Sequence, residues 1–377
     1  MKIAVNTRLL LPNRIDGIAR FTFETLKLIT QKYPEHQFYF FFDRPFSDEF
    51  IFSENIIPIV IGPQARHPFL FYWWFEFSIS KQLKKIKPDL FLSPDGFLSL
   101  NTNVKSLPVI HDINFVHYKK NIPWLVSKYY NYFFPKFAKK ASRIVTVSNF
   151  SAKDISMNFG IDSNKIDVVF NGVSDIFKPI NDELIKQNTR QKYSESKQFF
   201  IAVSSIHPRK NIAGLLKAFN QFKTESNNEH KLILVGDSYF WDKEMTEQLK
   251  QMDFKKDVVF TGKINDEELA KLMASASAML YVPFFEGFGI PILEAFKSEI
   301  PVISSNTSSL PEVYGDAALA VNPSSTNEIA EAMQNIVNNN ELRNNLVEKG
   351  KIQLQKYSWQ KTADLLWQSM LKTINNA

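Results

Sequence analysis

Residues Ala278–Pro311, AMLYVPFFEGFGIPILEAFKSEIPVISSNTSSLP, leave a 377-residue chain little freedom in how it folds. An apolar strand is expected over Met279–Val282, followed by a loop carrying Glu286, Gly287, Phe288 and Gly289. A helix comes next, with Pro291 in its first turn, where a missing N–H leaves no bond unmade. A second apolar strand, Pro301–Ser304, closes the unit. Strand, glycine loop, helix and strand within about 30 residues form a βαβ crossover, and crossovers of this kind build parallel sheets.

The loop carries chemistry as well as topology. The first N–H groups of a helix lack partners and sit at the positive end of its dipole, so they attract anions and above all phosphate. Gly287 and Gly289, without Cβ, allow the backbone to approach a ligand closely. Glu286 precedes the glycines and Glu294 follows one turn into the helix. Carboxylates suit sugar and ribose hydroxyls and would repel phosphate. The local pattern therefore fits a ligand with a diphosphate in the middle and hydroxyls on both sides, which describes a nucleotide sugar. Two solvated glutamates on an ordinary amphipathic helix would share the spacing but not the glycines, the proline and the flanking strands.

Glu286-Gly-Phe-Gly-Ile-Pro-Ile-Leu-Glu294 resembles the E-x7-E motif of retaining glycosyltransferases of the GT-B fold, in particular glycosyltransferase family 4, as does Ser304–Ala318. The resemblance extends over nearly the whole chain, most closely over residues 199–318. It implies an α/β protein of two Rossmann-like βαβ domains facing an interdomain cleft, with a C-terminal helix crossing back to the N-terminal domain. The corresponding division is an acceptor-binding domain over 1–173, a polar, irregular linker over 174–198, a donor-binding domain over 199–356 and the returning helix over 357–377. Length alone also favours two domains.

The resemblance places further residues. Strand Phe199–Ser204 leads into Ser205-Ile-His-Pro-Arg209-Lys210-Asn211, with Asn211 as a candidate helix cap. A guanidinium for bidentate contact and an ammonium as a point charge form a phosphate clamp. In the family this P-R-K-N stretch neutralises the donor diphosphate. Ser204-Ser205 stands where a glycine is common, and Lys263-Ile264 would meet the nucleobase. Glu294 would hold the ribose, Glu286 the donor sugar, and the loop and first helical turn, from Gly287 through Phe288, Gly289 and Ile290 to Leu293, would line the donor site.

In the first half, Asp16-Gly17 stands where the family often has a glycine pair facing the acceptor. Strand Leu107–His111 is expected to end in His111-Asp112, a pair that the resemblance puts near the transferred sugar, with Ser148 on the acceptor side. Pro68–Leu83 reads as one helix with an aromatic face. Ser127–Arg143, SKYYNYFFPKFAKKASR, fits either a membrane-surface segment or a core face backed by solvated lysines. Residues 1–190 hold 25 Lys+Arg against 17 Asp+Glu, while the remainder is slightly acidic. A basic half points to an anionic partner there, a membrane surface, a lipid phosphate or nucleic acid. No nucleic-acid-binding motif accompanies it, and the resemblance tilts the reading toward an anionic membrane surface because acceptors in such families are often lipid-linked.

Cysteine is absent, so disulfides and thiolate metal ligands are excluded. The chain lacks a signal-peptide pattern and any run of about 18 apolar residues, so a cytoplasmic location, or a peripheral one on the inner face of a membrane, is expected. The expected activity is retaining transfer of a hexosyl group, mannosyl favoured and hence GDP-mannose, to a saccharide or lipid-linked acceptor. His111, Asp112, Arg209, Lys210 and Glu286 would form the catalytic set. No cofactor beyond this donor substrate is expected, and no metal, because the sequence has no Asp-x-Asp pair. Two alternatives remain open: a nucleotide-sugar epimerase on the same fold, and a membrane-surface scaffold with a non-catalytic donor site. A nicotinamide-dependent oxidoreductase is disfavoured because no G-x-G-x-x-G follows the first strand.

Overall fold

Two parallel sheets organise the chain, each inside its own unit. The computed structural model describes residues 1–12, 15, 17–238 and 240–375, with only the backbone of Lys120. One unit is Met1–Gly172 together with Ser358–Ala377, and the other is Val173–Tyr357.

The first unit contains β1 (Lys2–Asn6), β2 (Gln37–Phe42), β3 (Ile56–Val60), β4 (Leu90–Ser93) and β5 (Ser106–Pro108), in the order β3-β2-β1-β4-β5. Ile3 pairs in register with Phe38 on one side and Leu90 on the other, and all three are fully buried. Near-continuous apolar runs are what a sheet covered on both faces requires. The strand order reverses between β1 and β4, so the loops leaving those two strands diverge and open a crevice, the place where open α/β sheets bind ligands.

Two expectations need correction here. The strand proposed for Leu107–His111 stops at Pro108; Val109 makes a single bridge to Val145, and the Ile110 N–H donates to Val145 O at 2.8 Å. That bridge hands the chain to the small parallel pair β6 (Ile144–Thr146) and β7 (Ile166–Val168) and leaves His111-Asp112 in coil. The helix proposed for Pro68–Leu83 runs on to Ile86 and widens into a π-helical turn over Trp74–Ile79. There Trp74, Phe75 and Ile79 all enter the core, and the Trp74 indole N–H reaches Ile61 O at 2.7 Å.

The second unit contains β8 (Phe199–Val203), β9 (Lys231–Val235), β10 (Val258–Gly262), β11 (Ala278–Tyr281), β12 (Val302–Ser305) and β13 (Ala318–Val321). Their order is β10-β9-β8-β11-β12-β13, with the reversal between β8 and β11. The expected irregular linker over 174–198 is corrected. Glu183–Ser194 is a helix capped by the Asp182 carboxylate, and its Tyr193 hydroxyl donates to Glu268 at 2.8 Å, inside this unit. An aspartate cap followed by a polar, one-sided helix has the composition of a linker, which is why the sequence misled.

The last helix, Trp359–Asn375, returns to the first unit. Trp367 stacks on Tyr33 with ring centroids 4.0 Å apart, and the Thr362 hydroxyl donates to Phe170 O at 2.7 Å. No helix of the described residues is long and apolar enough to cross a membrane.

Candidate functional site

In the second unit, the loop leaving β8 is held from both sides. The Ser204 N–H donates to Val235 O and the Ile206 N–H to Asp237 O. Gly236 lies against this loop so closely that a Cβ there would stand 1.9 Å from Ser204 O. The chain then turns through a 3-10 segment, Pro208–Lys210, capped by His207 Nδ1, which accepts from the Arg209 N–H at 3.1 Å. Asn211 does not cap the following helix through its side chain. It adopts a left-handed conformation, and its buried Nδ2 donates to Val282 O at 3.1 Å and Pro323 O at 2.7 Å, tying the β8 loop to the end of β11.

That brace sets the two cations against the β11 loop. The Phe284 N–H donates to Arg209 O, and Arg209 Nη1 donates to Phe285 O at 2.5 Å. The same Nη1 lies 3.0 Å from Glu286 Oε1, and Lys210 Nζ pairs with that same oxygen. Burial by itself pushes the Glu286 carboxyl up; Lys210 and Arg209 beside it reverse this and hold it below the ordinary glutamate value. The Tyr281 hydroxyl accepts from Lys210 Nζ at 3.3 Å, and burial, then the Glu286 charge, push its pKa far up, so the phenol stays neutral. Two cations thus converge on one anion at the point where the strand order reverses. Charge-assisted bonds in a shielded setting are the strong ones.

The loop after Glu286 is fixed by serines. The buried Ser309 hydroxyl lies 2.9 Å from Glu286 O and 3.1 Å from Phe288 O, and Ser308 Oγ accepts from the Glu286 N–H. Gly289 stands at φ 108°, immediately before the helix Ile290–Lys297, with Pro291 in its first turn. Gly287 is buried, Ile290 is half-buried, and Glu294 is half-buried on that helix. Ser205 is exposed in the β8 loop; Lys263 is exposed and Ile264 half-buried after the edge strand β10. Two expected donor contacts are corrected. Leu293 has no accessible surface and is a core residue, and the Phe288 ring is buried against Tyr357, which leaves only its backbone to offer a ligand.

The remaining expected residues belong to the first unit. Asp16 lies outside the described residues. Gly17 is exposed at φ 46° just before the helix Ile18–Lys32, with open space where a Cβ would be. His111 Nε2–H donates to Pro94 O at 2.9 Å, and its ring meets Phe21 edge-on. Burial lowers its pKa against the opposing pull of Pro94 O, Asp112 and Asp95, so the imidazole is neutral at pH 7. Asp112 Oδ1 accepts from Asn114 N–H and Nδ2 in a local turn. Ser148 is corrected: it is fully buried, and its Oγ caps the helix Asn149–Phe159 by accepting from the Ser151 N–H.

One constellation escaped the sequence. Arg8, after β1, and Asp95, after β4, form a buried pair at 2.6 Å. Asp95 also accepts from Asn6 Nδ2 at 2.7 Å, and Arg8 lies over the Phe97 ring at 4.4 Å. The pair closes the floor of the β1/β4 switch point. Only the Asp95-Gly96 turn signal after an apolar strand hinted at it.

Comparison with known proteins adds the family. Residues 185–353 match the family described as glycosyl transferases group 1, and residues 15–175 match glycosyltransferase family 4. The chain is 32% identical over 222 residues to O-antigen chain mannosyltransferase B of Escherichia coli, covering 58% of each. It is 29% identical over 227 residues to O-antigen chain mannosyltransferase RfbU of Salmonella typhimurium, covering 60% of this chain and 59% of that one. The matched region thus spans 58–59% of the length of these two relatives. Among solved structures, Anabaena Alr3699/HepE in complex with UDP and glucose aligns over 98% of this chain and 99% of its own, with TM-score 0.76 at 16% identity. At that identity the likeness speaks to the fold: two Rossmann-like parallel-sheet units.

Proposed function

Because this chain belongs to glycosyltransferase family 4, we propose that it transfers a mannosyl group from GDP-mannose to a saccharide acceptor in glycan synthesis, with retention at the anomeric carbon. The observation that carries this reading is the convergence of Arg209 and Lys210 on one carboxylate oxygen between the β8 and β11 loops. Two cations held together on one anionic oxygen supply the charge that binding a diphosphate requires. The O-antigen mannosyltransferases among the relatives support the choice of sugar and the glycan setting.

In the proposed reaction the bond from the anomeric carbon to the diphosphate oxygen breaks, and a bond from that carbon to the acceptor oxygen forms. The acceptor proton passes to a donor phosphate oxygen, and GDP leaves. Arg209 and Lys210 stabilise the charge growing on the leaving diphosphate, while Glu294 holds the ribose and Glu286 the sugar hydroxyls. The acceptor is assigned to the first unit, at the loops holding Gly17, His111 and Asp112. There the neutral His111, its Nε2–H engaged by Pro94 O, presents Nδ1 as an acceptor for a hydroxyl. Because two fixed cations meet the diphosphate, turnover is expected to need no divalent metal.

The test is a thermal-shift and calorimetric screen with GDP, UDP, ADP and their sugars, followed by transfer assays in EDTA. A ligand at about 100 times its Kd adds about 2.7 kcal/mol of stability. GDP and GDP-mannose should shift the protein, and Arg209→Ala should abolish the shift and lower turnover roughly 100- to 1,000-fold. A shift with UDP or ADP sugars alone would overturn the donor; no shift with any nucleotide would overturn the reading.

A further inference from the structure

The first unit leaves one set of aromatic rings outside its core. On Pro68–Ile79, Phe69 is 71% exposed, Trp73 55% and Phe77 49%. On the helix Trp124–Lys140, Trp124 is 68% exposed and Tyr132 59%. These are not scattered side chains. Trp73 packs on Phe77, Phe77 on Tyr72, Tyr72 on Phe133 and Phe133 on Tyr132, each pair within 6.1 Å between centroids. The chain of contacts joins the two segments into one aromatic face. Single exposed apolar residues call for no explanation, but a contiguous patch marks an interaction site.

The charge around the face chooses the occupant. Lys136 Nζ stands 3.5 Å from the Tyr132 ring centroid, and Lys128 Nζ stands 4.0 Å from that of Trp124. Exposed Lys81, Lys84 and Lys85 follow on the next helical turns after Phe77. The sequence has no aspartate or glutamate between Ile113 and Lys153, and between Asn55 and Pro88 its sole carboxylate is Glu76. Glu76 is buried and accepts from the Leu100 and Asn101 N–H groups, so it contributes nothing to this surface. These two segments bring rings and lysines and no exposed carboxylate of their own, a composition complementary to anionic headgroups.

We propose that this aromatic and lysine face docks on an anionic lipid bilayer. Tryptophan and tyrosine settle at the headgroup level, where an apolar body and a polar edge are both satisfied, and lysines beside them meet the negative surface potential. A second protein is the poorer fit, since the cores of protein interfaces are depleted in lysine. The assignment separates the two readings left open for Ser127–Arg143. Tyr129, Phe134 and Phe137 of that segment are core, whereas its Tyr132, Lys128 and Lys136 belong to the docking face with Trp124 just before it. It goes beyond the donor reading and is tested without any nucleotide.

The experiment is cosedimentation of the full chain with vesicles of phosphatidylcholine alone and of phosphatidylcholine with phosphatidylglycerol, at low and high salt. Binding is expected to the phosphatidylglycerol vesicles and to weaken with salt. Lys128→Glu/Lys136→Glu should weaken it by at least 25-fold, at roughly fivefold per lysine removed. Trp73→Ser/Phe77→Ser should weaken it comparably while leaving thermal unfolding unchanged, because these rings are largely outside the core. Wild-type protein that stays in the supernatant with phosphatidylglycerol vesicles overturns the proposal, as does binding that both double variants retain. A dimer in light scattering that Trp73→Ser/Phe77→Ser dissolves, without vesicle binding, assigns the face to a second copy instead.

Discussion

Glu286 pairs with Arg209 and Lys210 at once, so in the proposed reaction it competes with the diphosphate for both cations. Glu286→Gln keeps the shape and removes the competing charge. The variant is expected to bind free GDP roughly tenfold more tightly, the worth of a modest charge-assisted hydrogen bond, and to lose turnover because the sugar contact weakens. Calorimetry beside an activity assay checks this; weaker GDP binding would mean that Glu286 helps to organise the clamp rather than compete for it. A second residue writes pH dependence into the same unit. Burial, then Lys223 and Arg343, lower the His230 pKa from 6.5 to about 4, with its ring on Phe200 and Nε2 bonded to Ser277 Oγ. The folded imidazole stays neutral while the unfolded one takes up a proton as pH falls below about 6.5. Stability is therefore full above that pH and declines toward pH 4, by up to about 3 kcal/mol. Melting of wild type and His230→Gln between pH 7 and 5 should show a clearly shallower slope for the variant.

At the level of elements, the site depends on how two loops are joined to two strands. Gly289 holds φ 108° where the β11 loop enters its helix, and a Cβ there would sit 2.8 Å from Leu310 Cδ2. Gly289→Ala should cost about 1–3 kcal/mol from backbone strain alone and weaken nucleotide binding with it. An unchanged melting temperature would show that the turn relaxes. This junction was legible in the sequence because glycine, proline and strand signals mark it locally, and the same holds for Pro208–Lys210. What the sequence concealed depends on contacts between distant segments. Asn211 reads as a cap by type and position, yet its amide is taken by Val282 and Pro323. Leu293, one residue from Glu294, faces the core. Arg8 and Asp95 are 87 positions apart, and only the β1–β4 pairing brings them together. The helix Glu183–Ser194 was missed for a compositional reason, since polar one-sided helices look like linkers.

On the scale of the whole molecule, the same device appears twice: a parallel sheet whose strand order reverses once, with charged side chains on the loops that leave the two diverging strands. The units differ in how the chain closes them. The second is continuous from Val173 to Tyr357, whereas the first is completed only when Ser358–Ala377 returns. That return is energetically substantial. Leu366 and Met370 are fully buried, Trp367 is nearly so between Tyr33, His36 and its own helix, and Lys105 Nζ donates to Ile374 O. The first unit therefore draws part of its core from a helix encoded 185 residues after the rest of that unit ends. Trp367→Ala removes a buried indole and its stacking partner contacts, a change that costs about 3–5 kcal/mol in a packed core. The loss should appear as faster amide exchange along Ile18–Lys32, the helix against which Trp367 packs, and in β4 and β5, which the returning helix also contacts. Exchange in those segments as slow as in the wild type would mean that the returning helix is held at the surface of the first unit without supporting its core.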